Sequence, residues 1–149
     1  MEIRIDKIEV YDDISKGRML ITQDDKQKQL QCYWRTDIGC VSKGSKEMPS
    51  GQAAVKFKVI APYACALEFT YHRLLHFKVL PMSEVNYDKM GCNVIIMERD
   101  GQPITPHSYV NLCRTMQYAG VKTLHISDHR IRHSGNSPHT THNEYKWYD

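Results

Sequence analysis

Eight histidines stand out in a chain of 149 residues, and five of them crowd one C-terminal stretch: His125, His129, His133, His139 and His142, with Asp128 among them. Imidazole is the commonest metal ligand and an acid–base group near neutral pH. His125, His129 and His133 recur every fourth residue. On a helix that spacing stacks neighbours about 6 Å apart, close enough for two to share a zinc ion. On a strand they share a face about 13 Å apart, which zinc–nitrogen bonds of about 2 Å cannot bridge. Residues 121–127 read as strand, so chelation by sequence neighbours is not expected there. His139 and His142 flank Thr140-Thr141 in a loop and pair more easily. The expectation is no cofactor, with zinc the metal these ligands leave open.

A second pair, His72 and His76, falls at one-turn spacing if residues 63–76 are helical, with Glu68 one turn earlier. That side of the segment could bind an anion, ligate a metal or carry protons, or be a solvated flank. Cysteine chemistry has a weaker basis. A nucleophilic thiolate needs a neighbouring base. Cys113 sits on the apolar stripe of an expected helix, and Cys40 lies in a loop with no partner in view. Phosphate-binding glycine loops, GxSxG and HExxH patterns do not occur.

Basic residues offer a different chemistry. Lys56 and Lys58 occupy the polar side of an alternating strand, Lys43 and Lys46 a loop, and Arg130 and Arg132 the approach to the C-terminal segment. Tyr145, Trp147 and Tyr148 follow. Cations interleaved with aromatics are what a single-stranded nucleic acid needs. The third strand lacks the aromatics of an RNA-recognition motif. The net charge of +3 and pI near 8.6 permit contact with phosphates without demanding it.

The elements that must position these groups follow from periodicity. Apolar residues make up 41% and charged residues 25%, the balance of a folded chain rather than a disordered one. Residues 1–36 read as strands. Ile3 and Ile5 alternate with charged neighbours, then Ile8 and Val10 take the opposite phase, which places a bulge or turn near Asp6-Lys7. Asp24 to Lys28 suits a hairpin loop. Residues 37–51, rich in glycine and serine, read as loop. Then come a strand over Ala53–Ile60, a helix over Tyr63–His76 entered through Pro62, a strand over Phe77–Leu80 and a buried strand over Asn93–Glu98. Thr105-Pro106 starts a helix and Gly120 caps it, ahead of a strand over Val121–Ser127.

Over residues 53–127 that order is the split β-α-β-β-α-β pattern. The expected fold is α+β: a ferredoxin-like core carrying a β-rich N-terminal extension. The alternative makes 63–76 a strand, giving a mostly-β chain with one helix. One domain spans 1–149, with 1–36 as N-terminal strands, 53–127 as the α/β core and 128–149 as a His-rich tail.

Five cysteines, odd in number and without CxxC spacing, point to reduced thiols and a cytoplasmic setting. The alternating N-terminus is unlike a secretory leader, and no run approaches the roughly 20 apolar residues of a membrane helix. Two functions stay open. The first is a small, non-catalytic binding or regulatory protein, a homo-oligomer contacting nucleic acid or a protein through Lys56, Lys58, Arg130 and Arg132. The second is a small oligomeric enzyme, a hydrolase among the options. It would act on a phosphate-containing or other anionic small molecule, with His72, His125 and His139 as acid–base or metal-assisting groups.

Overall fold

In a computed structural model the described residues are 1–37, 48–72, 75–138 and 140, the Asp100 side chain excepted. Among them eight strands close into a mixed barrel. They are β1 (Glu2–Val10), β2 (Ile14–Gln23), β3 (Lys26–Arg35), β4 (Gly51–Ile60), β5 (Tyr63–His72), β6 (Leu75–Pro81), β7 (Asn93–Met97) and β8 (Thr123–Arg132). The order around the barrel is β1-β2-β3-β7-β6-β5-β4-β8. A one-turn helix α1 (Tyr87–Met90) lies between β6 and β7, and a longer helix α2 (Pro106–Tyr118) between β7 and β8. The pairs β1–β8 and β6–β7 are parallel and the others antiparallel.

This overturns the ferredoxin-like expectation, and the mostly-β alternative fits in part. The decisive segment is Tyr63–His76. Its apolar residues match a helical stripe, but Cys65, Leu67, Phe69 and Tyr71 also alternate strictly with Ala64, Ala66, Glu68 and Thr70. The strand reading wins because β5 forms ladders on both sides, to β4 and to β6. Phe69 stacks on its cross-strand partner Phe77, ring centroids 5.2 Å apart. Pro62 does not open a helix; it occupies the β4–β5 turn behind a cis peptide bond. The strands of residues 1–36 are not an extension, since β1 pairs with β8 and β3 with β7 to complete the ring. Residues 128–132 belong to β8 rather than to a tail.

Other local expectations hold. Register slips between Lys7 and Glu9 against both neighbours of β1, the bulge that the phase flip implies. The hairpin expected over Asp24–Lys28 is present but tighter: Lys26–Lys28 already pair with β2, leaving Asp24-Asp25, whose φ values of 49° and 63° fit a type I′ turn. Thr105 caps α2 by accepting from the Ser108 N–H at 3.1 Å, and Pro106 takes the first helical position. At the other end the Val121 N–H donates to the Met116 carbonyl and the Gly120 N–H to that of Gln117, with Gly120 at φ 74°. That is a Schellman cap, which needs a residue free to be left-handed.

Alternation sorts the barrel side chains. Ile3, Ile5, Met19, Ile21, Cys32, Trp34, Leu67, Phe69, Phe77, Val79, Val94, Ile96, Leu124 and Ile126 share one core. Ile104, Tyr109, Cys113 and Met116 bring α2 into it. The Tyr109 hydroxyl reaches between β5 and β6 at the Leu67–Val79 pair. It accepts from the Leu67 N–H at 2.9 Å and donates to the Val79 carbonyl. A side chain thus bonds to the backbone of both strands at this ladder pair. A second, smaller cluster of Ile14, Tyr33, Val85, Met90 and Ile95 covers the other side of β3 and β7. Arg35 ties this region together: it makes a forked bond to Asp37 (3.0 and 2.9 Å), donates to the Tyr87 hydroxyl (2.8 Å) and stacks on the Tyr87 ring.

Three outcomes test this packing. Gly17 faces Trp34, and a Cβ there would lie 2.6 Å from two indole carbons and 2.8 Å from the Asp6 carbonyl oxygen. Gly17→Ala should cost about 1–3 kcal/mol in urea unfolding, because that backbone oxygen cannot step aside. Tyr109→Phe leaves a buried donor and acceptor facing each other, for a loss of about 2–4 kcal/mol. A loss below about 0.5 kcal/mol would show that the strands re-form the ladder unaided. The Arg35 hydrogen bond, outweighing partial burial, holds the Asp37 carboxyl below its ordinary 3.8. A depressed carboxyl stabilises the fold above its unfolded value, and the effect fades as pH falls through the folded value. Wild type should therefore exceed Asp37→Asn in stability at neutral pH and converge with it in acid, as followed by denaturant midpoints.

Candidate functional site

The outward side of β4, β5 and β6 is where the register collects charge. Lys56 on β4 lies opposite Glu68 on β5, and Glu68 lies opposite Lys78 on β6. Lys58, two residues along β4, reaches back so that its Nζ sits 3.0 Å from Glu68 Oε1. One carboxylate thus pairs with the Lys58 ammonium and has Lys56 and Lys78 as its cross-strand neighbours. The Glu68 side chain is only 8% exposed while that of Lys58 is 50% exposed, so the anion lies beneath and this cation stands above it. Neighbouring strands are spaced about 4.8 Å, which makes the Lys56–Glu68–Lys78 row about 10 Å wide.

Small residues border the row. Ala66 lies opposite Lys58, and Ala54 lies opposite Thr70, which in turn faces His76 on β6. Lysine stems can lie along such a surface while their heads stay in water. An exposed pair contributes little to stability. The Lys58–Glu68 contact is better read as orientation, a buried carboxylate fixing where one cation points.

The sequence-derived candidates separate in space. Lys56 and Lys58 belong to this surface. Arg130 and Arg132 do not: β8 runs antiparallel to β4, with Thr123 opposite Ala54 and Ile126 opposite Gly51. Arg130 therefore lies roughly 30 Å along the strands from Lys56. Its Nε is 2.7 Å from Asp128 Oδ1, and Arg132 lies opposite Val10 at the far end of β1.

Among the histidines, His72 is not one turn from His76 on a helix. It ends β5 opposite Leu75, while His76 lies on β6 opposite Thr70. His125 lies on β8 between Gln52 of β4 and Arg4 of β1. At least one whole strand, β4, stands between it and the β5 residue His72. His139 lies outside the described residues, as do Lys43, Lys46, His142 and the aromatics Tyr145, Trp147 and Tyr148. Between the Lys7–Asp128 and Glu9–Ile131 pairs β8 carries one residue more than β1, so His125 and His129 do not keep an even strand spacing. His133, just past β8, stacks its ring on Tyr11 at 4.7 Å. Among the described residues no group of three or more His, Cys, Asp or Glu side chains is placed to hold a metal.

The cysteines divide. Cys32, Cys65 and Cys113 are free and buried. Burial pushes the Cys113 thiol up to about 11, so it is protonated at neutral pH. Cys92 is disulfide-bonded, contrary to the expectation of reduced thiols throughout. Cys40 lies outside the described residues. No helix of the described residues is long and apolar enough to cross a membrane.

Sequence reasoning missed Lys78, Glu68 and His76 as members of the surface. The signal for Lys78 was legible, since it alternates with Phe77 and Val79. The signal for Glu68 and His76 was not, because placing them required the β5–β6 hairpin that the helical reading removed. Comparison of the chain with protein-family models, with curated proteins and with solved structures returns no match.

Proposed function

We propose that the chain is a small binding protein that holds a nucleic-acid strand by its phosphates across the outward side of β4, β5 and β6. The observation that carries this reading is the clustering of Lys56, Lys58 and Lys78 around a single buried carboxylate. Phosphate contacts supply affinity and position without reading sequence. The surface has the donors for that task, and the residues between them are small. The reading favours binding over catalysis, and affinity for a strand's charge over its base identity. A small homo-oligomer, part of the same proposal, would present several such surfaces to one strand and raise affinity by linkage.

A cytoplasmic location also belongs to the proposal. The free thiols Cys32, Cys65 and Cys113 support it, and the disulfide at Cys92 counts against it, since reducing compartments rarely keep such bonds.

Salt dependence tests the proposal. For a single strand, log K falls against log salt with a slope of about −0.7 per neutralised phosphate, so three lysines predict a slope of about −2. Fluorescence anisotropy with a labelled oligonucleotide gives that slope directly. Lys56→Gln, Lys58→Gln and Lys78→Gln should each make it shallower by about 0.7 and weaken all sequences alike. Arg130→Gln and Arg132→Gln should leave it unchanged. Equal slopes in wild type and the triple lysine variant would remove this surface from consideration.

A further inference from the structure

A separate feature lies on the barrel's outer surface where β8, β1 and β2 meet. A groove of about 400 Å³ there is lined by Arg4, Leu20, Thr22, Gln52, Thr123 and His125. Its size is in the range of small-molecule sites. Leu20, 4% exposed, is an apolar residue buried in its wall.

The cation is held in place. Arg4 Nε donates to Asp6 Oδ1 at 2.9 Å and Arg4 Nη2 to Asp6 Oδ2 at 3.3 Å. The Asp6 side chain is 5% exposed and that of Arg4 is 50% exposed. One edge of the guanidinium is therefore pinned from below, and the rest is left to face solvent and the groove. Asp6 does not cancel this charge alone, because Arg18 Nη2 also stands 3.8 Å from it. Two guanidinium groups share one carboxylate.

Around Arg4 the strand register places further donors. His125 is its direct neighbour on β8, and Gln52 is the neighbour of His125 on β4. The side chains of His125, Gln52 and Thr123 enter no hydrogen bond or ion pair among the described residues, whereas Thr22 accepts from Gln27 at 3.4 Å. A pinned guanidinium beside an imidazole, an amide and a hydroxyl forms a set of convergent donors that suits a compact, multiply charged acceptor.

We propose that this groove binds a phosphate group, as inorganic phosphate or a phosphomonoester. Arg4 supplies the charge, and His125, Gln52 and Thr123 supply the remaining hydrogen bonds. Glu2 also lines the groove and opposes an anion. The site does not depend on the lysine surface, since Gln52 is four residues before Lys56, about 13 Å along β4.

Titration of the isotope-labelled full chain with inorganic phosphate in chloride buffer tests the assignment. Saturable amide shifts at Gln52, Thr123 and His125 are expected. Arg4→Gln should weaken binding about tenfold or more, the worth of one charge-assisted pair. His125→Ala and Gln52→Ala, which leave the Arg4–Asp6 contact in place, should each weaken it severalfold. Glu2→Gln should tighten binding, an outcome that damage to the fold would not produce. The triple lysine variant should bind phosphate as wild type does, which separates failure of the strand-binding proposal from failure of this one. Comparing 5′-phosphorylated with 5′-hydroxyl oligonucleotides identifies the source. A preference for the phosphorylated strand assigns the groove to a strand end, and no preference assigns it to a small phosphate compound. Shifts that do not saturate, or that survive Arg4→Gln and His125→Ala undiminished, overturn the proposal.

Discussion

Closure is the constraint on which everything else depends. β8 bonds to β4 on one side and to β1 on the other, so the ring has no free edge through its middle. A closed ring of strands leaves each side chain two options, in or out. Once Val55, Leu67 and Val79 are committed to the core, alternation settles where Lys56, Glu68 and Lys78 must go. The geometry of the charged surface is therefore a by-product of core packing. The same holds at the seam, where burying Ile5, Leu124 and Ile126 turns Arg4 and His125 outward side by side.

The interior is not filled by strands alone. Tyr109 carries α2 into the barrel and bonds to a backbone group on each of β5 and β6. Burial in this position raises the pKa of its phenol, so it stays protonated and can both accept and donate. Trp34 fills the opposite region and is admitted only because Gly17 has no Cβ. These large residues are matched to particular small or open positions on other elements, as close packing requires. The outward charged surfaces thus rest on strands whose inner sides are tightly occupied, a rigid support for the cations they carry.

How much of this was legible in the sequence depended on how local each signal is. The Thr105-Pro106 start, the Gly120 stop, the Asp24-Asp25 turn and the phase flip at Asp6-Lys7 are short-range features, and each appears where its chemistry places it. The barrel is not short-range. Residues 63–76 satisfy two periods at once, and only the partners on β4 and β6, distant in pattern if not in sequence, choose between them. With that choice reversed, His72 and His76 fall on one helical side, and the hairpin that brings Lys78 to Glu68 is lost. The groove at Arg4 and His125 was less accessible still, because it needs the parallel pairing of β1 with β8 across more than a hundred intervening residues. His125 was marked for its imidazole and Arg4 was overlooked as an alternating charge.

That parallel seam has a consequence for biosynthesis. β1 leaves the ribosome first and β8 after all the other strands, yet each is the other's neighbour. Until residues 123–132 emerge, β1 and β4 expose unpaired ladder edges, the kind that recruit foreign strands. Non-local pairing of this sort also slows folding. Until residues 123–132 join it, the barrel's sheet is therefore open along the one seam that its most distant strands share.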